Sequence, residues 1–157
     1  MTELIGPLTF IIPMLILYYL LPLSIFKKLL VPGIIGGFVV ALILIYVMQN
    51  IFHFWNFQNI DVLILNNLPL FLSATWIPLV MFFIYLLVKF PSKTGVILLN
   101  ILFPVGATLS HYIFISLNTL SYSNWNLFDT FLVSLFIHLA ITSYIFLFTR
   151  QSDYITS

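Results

Sequence analysis

Long apolar stretches alternate with short polar gaps along this chain. Five stretches made mainly of Leu, Ile, Val and Phe cover residues 4–26, 32–51, 68–88, 95–117 and 127–148. About 20 apolar residues in a helix cross a hydrocarbon core of roughly 30 Å. The pattern therefore predicts an all-α fold, a polytopic membrane helix bundle with five transmembrane helices, in one integral membrane domain over residues 1–157.

Prolines mark the first two predicted spans. Pro7, Pro13 and Pro22 each remove a backbone donor, so we expect the first helix to be kinked. Pro32 is placed at the start of the second helix, because a missing N–H costs nothing in the first turn.

Three small residues form a stripe on the second predicted span. Gly33, Gly37 and Ala41 are four residues apart and share one helix face. Such a stripe lets a second helix backbone approach closely, as helices in lipid require. The stripe is interpreted as a helix-packing surface, within the chain in preference to a dimer contact.

The gap at residues 52–67 differs in character, because aromatic rings alternate with amides and an acid. Rings with a polar neighbour favour the headgroup layer, so this gap is predicted to be an interfacial connection lying flat on the bilayer. Residues 60–67 are either part of that connection or the first turns of the third helix. Trp55 and Trp125 are expected at the outer boundary, with their indole N–H groups in water.

Composition supports lipid as the main solvent. The chain is 62% hydrophobic and 6% charged, whereas a soluble domain has about a quarter charged residues. A net charge of +1 supplies no field that would attract nucleic acid, so the expected partners are the lipid bilayer and either further copies of the chain or another membrane protein. The chain has no cysteine, which excludes disulfides and thiolate metal sites.

The basic residues predict an orientation. Lys27, Lys28, Lys89, Lys93 and Arg150 all fall in alternate gaps or in the tail. The positive-inside rule then places the N-terminus outside and the C-terminus in the cytoplasm. We expect an integral, multi-pass protein of a bacterial plasma membrane.

Charged groups are absent from the middle of every predicted span. Coupled transporters usually keep an intramembrane charge despite a cost of about 2.5 to 3.5 kcal/mol, so carboxylate-based proton coupling is disfavoured. No arrangement of catalytic residues is found, and two histidines without a third ligand do not make a metal site. We expect no cofactor, no metal and no catalytic residue.

Polar side chains do recur on the last two predicted spans, and we call this set the polar ladder. Its members share one face of their helix. They are Asn100, Thr108, His111, Ser134, His138 and Thr142.

The two helices of the ladder are predicted to be antiparallel neighbours that pack polar face to polar face. Matched depth places Asn100 near Thr142. The same reasoning sets His111 level with Ser134. It sets His138 level with Thr108. Histidines that only stabilise packing are the leading interpretation, and a proton relay or a ligand site is the alternative.

Four short motifs occur in order along the chain: Ile77-Pro78 through Tyr85, Lys89-Phe90-Pro91, Ser110-His111-Tyr112 and Ser121-Tyr122-Ser123-Asn124-Trp125-Asn126. By these motifs, and by residues 28–57 upstream, the chain resembles a family of small, uncharacterised multi-spanning membrane proteins common in spore-forming bacteria. The resemblance implies architecture and compartment, since no activity is established for that family. Where the family often has an acid before a tyrosine, this chain has His111-Tyr112, so no acid-dependent role is implied.

Two further motifs are Val31-Pro32-Gly33-Ile34-Ile35-Gly36 and Asn67-Leu68-Pro69-Leu70-Phe71. They carry a weaker likeness to holin-like regulators of murein hydrolases, which are usually shorter by one helix.

Three functions follow from these features. The leading hypothesis is a non-catalytic membrane component or assembly partner, because the short loops leave nothing with which to build a soluble site. A small transporter or holin-like pore is the second, with a polar path between the fourth and fifth helices. A lipid-modifying enzyme that uses His111 or His138 is the third.

Overall fold

The computed structural model describes residues 2–148, and helices make up most of it. Five helical segments in this part are long and apolar enough to cross a bilayer, in agreement with the predicted number. We call them spans 1 to 5. They are Thr2–Leu20, Leu23–Ile51, Leu70–Lys89, Lys93–Ser116 and Leu127–Leu147.

The break between spans 1 and 2 lies earlier than predicted. Helix α1 (Ile5–Leu20) ends at Leu21, which is extended at φ −99° and ψ 140°, and Pro22 precedes α2 (Leu23–Gly33). A proline disfavours helical geometry in the residue before it, which explains the break. The predicted start of the second helix at Pro32 was therefore wrong. Lys27 and Lys28 lie on α2 and not in a loop.

Pro32 is accommodated inside span 2 by a change of helix type. A π-helical segment (Ile34–Val39) follows it directly, then α3 (Val40–Tyr46) and a second π segment (Val47–Ile51). Proline removes one hydrogen bond of the α-helical ladder, and a local shift to wider turns re-forms the pairing around it.

The connection after span 2 contains short strands. Strand β1 (Trp55–Phe57) is antiparallel to β4 (Leu120–Tyr122), which lies between spans 4 and 5, and Trp55 is paired with Tyr122. Strands β2 (Ile64–Leu65) and β3 (Leu68–Pro69) form a small hairpin. Residues 60–67 are therefore not the first turns of a helix.

Part of this connection also faces inward, which differs from the flat interfacial segment that was expected. Trp55 is 4% exposed and its Nε1–H has no hydrogen-bond partner among the described residues, so it is not a boundary anchor with a hydrated indole. Phe57 and Ile60 are buried in the same cluster. Because successive strand residues point to opposite faces, pairing with β4 turns Trp55 and Phe57 toward the bundle.

Span 3 begins at a buried carboxylate. Asp61 is 3% exposed, and its two oxygens accept hydrogen bonds from the backbone N–H groups of Leu63 (3.1 Å) and Leu72 (2.8 Å). Leu72 lies in α4 (Leu70–Ala74), which continues through Thr75 into α5 (Trp76–Lys89). Acceptance from a first-turn N–H satisfies a donor that has no partner within the helix.

Spans 4 and 5 are long uninterrupted helices. Helix α6 (Lys93–Ser116) is capped by the Ser92 hydroxyl, which accepts from the backbone N–H of Gly95, and α7 (Leu127–Phe148) begins just after Asn126. They make the most extensive contact between any two helices in the described part.

Span 3 is the central helix of the bundle. Its apolar window is 56% buried, against 17% to 28% for the other four spans. The small-residue stripe of span 2 packs on it: a methyl group added at Gly37 would lie 2.5 Å from the backbone oxygen of Trp76, and one at Gly33 would lie 2.6 Å from Met81. Ala41 is 4% exposed. The stripe thus serves packing within the chain.

Opposite charges occupy opposite ends of the bundle. The end with β1 and β4, which we call the sheet end, carries the acids of the described residues: Glu3, Asp61 and Asp129. The other end, which we call the lysine end, carries Lys27, Lys28, Lys89 and Lys93, and there Ile25 and Leu29 of α2 share a cluster with Val88 of α5. Arg150 lies outside the described residues.

Candidate functional site: a cavity beside the polar ladder

The polar ladder faces the interior of the bundle. Both histidines are buried, at 7% exposed for His111 and 2% for His138, and Asn100, Ser134 and Thr142 are buried as well. Thr108 is half-buried. Neither imidazole points toward lipid.

One predicted bridge of the ladder is present. Asn100 Nδ2 donates to Thr142 Oγ1 at 3.0 Å, and Thr142 Oγ1 donates to Asn100 Oδ1 at 3.1 Å. These bonds join α6 to α7 near the lysine end.

His111 is not bonded to Ser134 at the same depth. Its Nδ1 is 2.6 Å from the hydroxyl of Tyr122, which is 2.7 Å from Thr130 Oγ1. Thr130 in turn accepts from the indole N–H of Trp125 at 2.9 Å. These hydrogen bonds link His111 of α6, through Tyr122 of β4, to Thr130 in the first turn of α7, and so they lie at the sheet end.

His138 is bonded within its own helix, and not to Thr108. Its Nδ1 lies 2.7 Å from the backbone carbonyl oxygen of Ser134. Thr108 likewise donates to the carbonyl of Pro104, one turn earlier in α6, at 2.8 Å. Each of these two side chains is therefore bonded to a carbonyl of its own helix and not to the facing helix.

Tyr122 stands outside the spans and has a shifted ionisation. Burial, reinforced by the nearby Asp129 carboxylate and only partly opposed by the hydrogen bond with Thr130, raises the pKa of Tyr122 to about 12. The phenol is thus a neutral donor throughout the physiological range.

A cavity of about 460 Å³ lies between spans 2, 3 and 4, and both histidines line it. Its volume is within the range of small-molecule sites, roughly 300 to 1,000 Å³. The wall has no Asp, Glu, Lys or Arg. The residues that line it are mostly aliphatic and aromatic, the rings being Trp55, Phe57, Trp76, Phe82, Phe103 and Phe114.

The cavity has little free polar chemistry. Its three hydroxyls are already hydrogen-bonded to backbone carbonyls one turn earlier: Thr9 to Ile5, Thr75 to Phe71, and Ser110 to Ala107. Neither His111 nor His138 has a hydrogen bond at Nε2 among the described residues, and neither Nε2 is a fully enclosed atom. Both histidines line the cavity, so the two Nε2 atoms are its polar groups that have no partner among the described residues.

The cavity opens sideways, between span 3 and span 4. Phe82 on α5 is 36% exposed and Leu102 on α6 is 59% exposed, although both line it. One turn after Leu102 on α6, Gly106 also lines the cavity, and a methyl group added there would meet nothing within 4 Å. Gly106 lies near the middle of α6, so this mouth is about halfway along the helix.

Sequence reasoning missed Trp55, Tyr122 and the mouth at Gly106. A strand of three residues is too short for a periodic signal, so nothing in the sequence indicated that β1 and β4 would pair. In the sequence, Tyr122 stood out only as part of the motif that carries the family resemblance, and not as a partner for a histidine.

No family model, no curated protein and no solved structure matches the chain. The two family resemblances stay predictions, and the function must be argued from the geometry of the site. Within residues 2–148, no group of three or more His, Asp or Glu side chains is placed to hold a metal ion.

Proposed function

We propose that this chain is a non-catalytic, multi-pass protein of a bacterial plasma membrane that binds an apolar molecule drawn sideways from the bilayer. The observation that carries the proposal is the mouth beside Phe82 and Leu102, which opens from the cavity near the middle of α5 and α6. A molecule dissolved in the hydrocarbon layer reaches such a site without passing through water.

The lining supports an apolar ligand. A cavity without charged side chains, and with its hydroxyls bonded within the protein, gains most from burying hydrocarbon. The weak direct contact between α5 and α6, compared with that between α6 and α7, leaves room for the molecule to enter.

The two charged ends support an orientation. With four lysines at the lysine end and the acids at the sheet end, the positive-inside rule puts the lysine end in the cytoplasm and the N-terminus outside. The cavity then lies nearer the outer leaflet, since it is bounded above by Trp55 and Phe57 of β1.

A polar pore between spans 4 and 5 has less support. Apart from His111, which is bonded to Tyr122, the ladder groups bond to one another or to their own helices, and spans 4 and 5 make the most extensive helix contact among the described residues. An assembly role through the glycine stripe also has less support, because span 3 occupies the stripe.

The proposal is tested by photo-crosslinking in vesicles of phosphatidylethanolamine and phosphatidylglycerol that contain a phosphatidylglycerol with a diazirine on one acyl chain. We expect crosslinks at interior residues such as Phe103 and Ala107, in addition to the exposed Leu102. Gly106→Phe should reduce the interior crosslinks at least fivefold, since the new ring fills open space at the mouth, and Gly106→Ala should not. Equal labelling of all three proteins at Phe103 would refute the proposal.

A further inference from the structure

The two Nε2 atoms in the cavity have opposite hydrogen-bonding roles, and this deepens the proposed function, on which it rests. Nδ1 of His138 faces a carbonyl oxygen, which only accepts, so Nδ1 carries the proton. An imidazole with one proton on Nδ1 presents a lone pair at Nε2. His138 therefore offers the cavity an acceptor.

His111 has the reverse arrangement. Trp125 can only donate to Thr130, and Thr130 places its single hydrogen toward Tyr122 at 2.7 Å more favourably than toward the Asn126 carbonyl at 3.3 Å. Tyr122, a neutral phenol, then donates to Nδ1 of His111 at 2.6 Å. With Nδ1 accepting, the proton of the ring is on Nε2, so His111 offers the cavity a donor.

The two groups lie at different depths. His111 is five residues before the end of α6 at Ser116, and His138 is eleven residues after the start of α7 at Leu127, both measured from the sheet end. At 1.5 Å per residue the offset along the helices is roughly 9 Å. A ligand that bonds to both Nε2 atoms uses about 2.8 Å of this offset for each hydrogen bond. The ligand itself then covers the remaining roughly 3 Å along the helices, together with the distance between the two helices.

The walls between them are aromatic. The ring of Trp55 is T-shaped against His111 with centroids 4.9 Å apart. His138 is similarly close to Phe103 at 5.7 Å and to Trp76 at 6.4 Å. Aromatic side chains in offset or edge-on arrangement favour a flat ring between them.

We propose that the cavity binds a membrane hydroquinone: a flat aromatic ring with hydroxyl groups on opposite sides and an isoprenoid tail. One hydroxyl oxygen accepts from His111 Nε2–H, the opposite hydroxyl donates to His138 Nε2, and the tail leaves between Phe82 and Leu102. The oxidised quinone has no hydroxyl to donate, so His138 would stay unpaired and the reduced form binds more tightly.

Other lipids satisfy only part of this pattern. A fatty acid has its polar atoms at one end, so it does not reach both imidazoles. A phospholipid can insert an acyl chain through the mouth, but its charged headgroup stays outside because the lining has no counter-charge, so it pairs with neither imidazole.

The test uses 2-methyl-1,4-naphthohydroquinone, the corresponding quinone, and 1,4-dimethoxy-2-methylnaphthalene, which has two acceptor oxygens and no donor. Binding to the purified full-length protein in nanodiscs is measured by equilibrium dialysis without oxygen. We expect the hydroquinone to bind about tenfold more tightly than either of the other two, which corresponds to one hydrogen bond. The midpoint potential of the bound couple would rise by about 30 mV.

Variants at the three histidines separate binding from selectivity. His138→Phe keeps a ring in place but removes the acceptor, so it should bind all three probes with equal affinity. His111→Phe should weaken hydroquinone and quinone alike. His53→Ala is the control, because His53 is exposed and does not line the cavity, and it should leave the selectivity unchanged.

Failure of this inference is distinguishable from failure of the cavity itself. One outcome is that Gly106→Phe blocks acyl crosslinking but the wild-type protein binds the naphthohydroquinone and the dimethoxynaphthalene equally. In that case the hydroquinone assignment is wrong and the apolar site stands. If no probe binds and Gly106→Phe has no effect on crosslinking, both are wrong.

Discussion

Asn100 and Thr142 exchange two hydrogen bonds, of 3.0 and 3.1 Å, across the contact between spans 4 and 5. Both residues are buried, so neither has water as an alternative partner at this depth. The pair holds the two helices together at the lysine end, while the strand pairing of β1 with β4 holds the opposite end to the rest of the bundle.

A double-mutant cycle measures this pair. We expect Asn100→Ala and Thr142→Val to be coupled by about 0.6 to 1.7 kcal/mol, which are the average and the maximum found for hydrogen bonds between membrane helices. The free energy of unfolding is measured by steric trapping in bicelles. Thr108→Val is the control, because Thr108 bonds only within its own helix and should not be coupled to Thr142→Val.

Two neighbouring glycines should respond very differently to the same change. A methyl group at Gly37 would lie 2.5 Å from the backbone oxygen of Trp76, whereas one at Gly36 would lie 3.6 Å from Val80, an ordinary contact. We expect Gly37→Ala to lower the free energy of unfolding by about 1 to 3 kcal/mol, since a backbone atom cannot move aside as a side chain does. Gly36→Ala should be nearly neutral, and equal effects of the two changes would contradict the packing of span 2 on span 3.

The pKa of Tyr122 predicts a loss of stability in alkali. The unfolded chain releases this phenolic proton near pH 10 and the folded chain near pH 12. Between these values the folded state binds more protons, so the contribution of Tyr122 falls as the pH rises. Absorbance of phenolate at 295 nm should show a step near pH 12 that is missing in Tyr122→Phe; a spectrum that is identical in both proteins would rule out the buried phenol.

The orientation can be determined with single cysteines, because the chain has none of its own. Ser123 at the sheet end and Thr94 at the lysine end are both exposed. In intact cells, a maleimide that does not cross membranes should label Ser123→Cys. Thr94→Cys should react only after permeabilisation, and the opposite result would reverse the proposed orientation.

Hydrophobic periodicity and length were sufficient to place the helices but not their ends. Spans 3, 4 and 5 agree with prediction to within about two residues at both ends, whereas span 1 ends at Leu20 and not at Phe26. A run of apolar residues has few alternatives to a helix in lipid. The start of span 2 could not be predicted, because Pro22 and Pro32 each follow an apolar residue and each is compatible with the start of a helix. Only packing against span 3, together with a π-helical turn, decides that the chain bends at Pro22 and continues through Pro32.

The site was predicted in part for the same reason. Helical spacing was enough to bring Asn100 to Thr142 and to turn both histidines inward. The hydrogen bond between His111 and Tyr122 could not be predicted, because Tyr122 lies on β4, and β4 pairs with a strand from a distant connection. A cavity is also a property of how helices diverge, which no local pattern records.

The pairing of β1 with β4 sets an order of assembly. Trp55 leaves the ribosome well before Tyr122, so β1 has no partner strand until β4 has been made. Under the proposed function, spans 1 to 3 then enter the bilayer with the cavity open on one side. A ligand already present in the bilayer is enclosed during biosynthesis, when the last two helices dock against the first three.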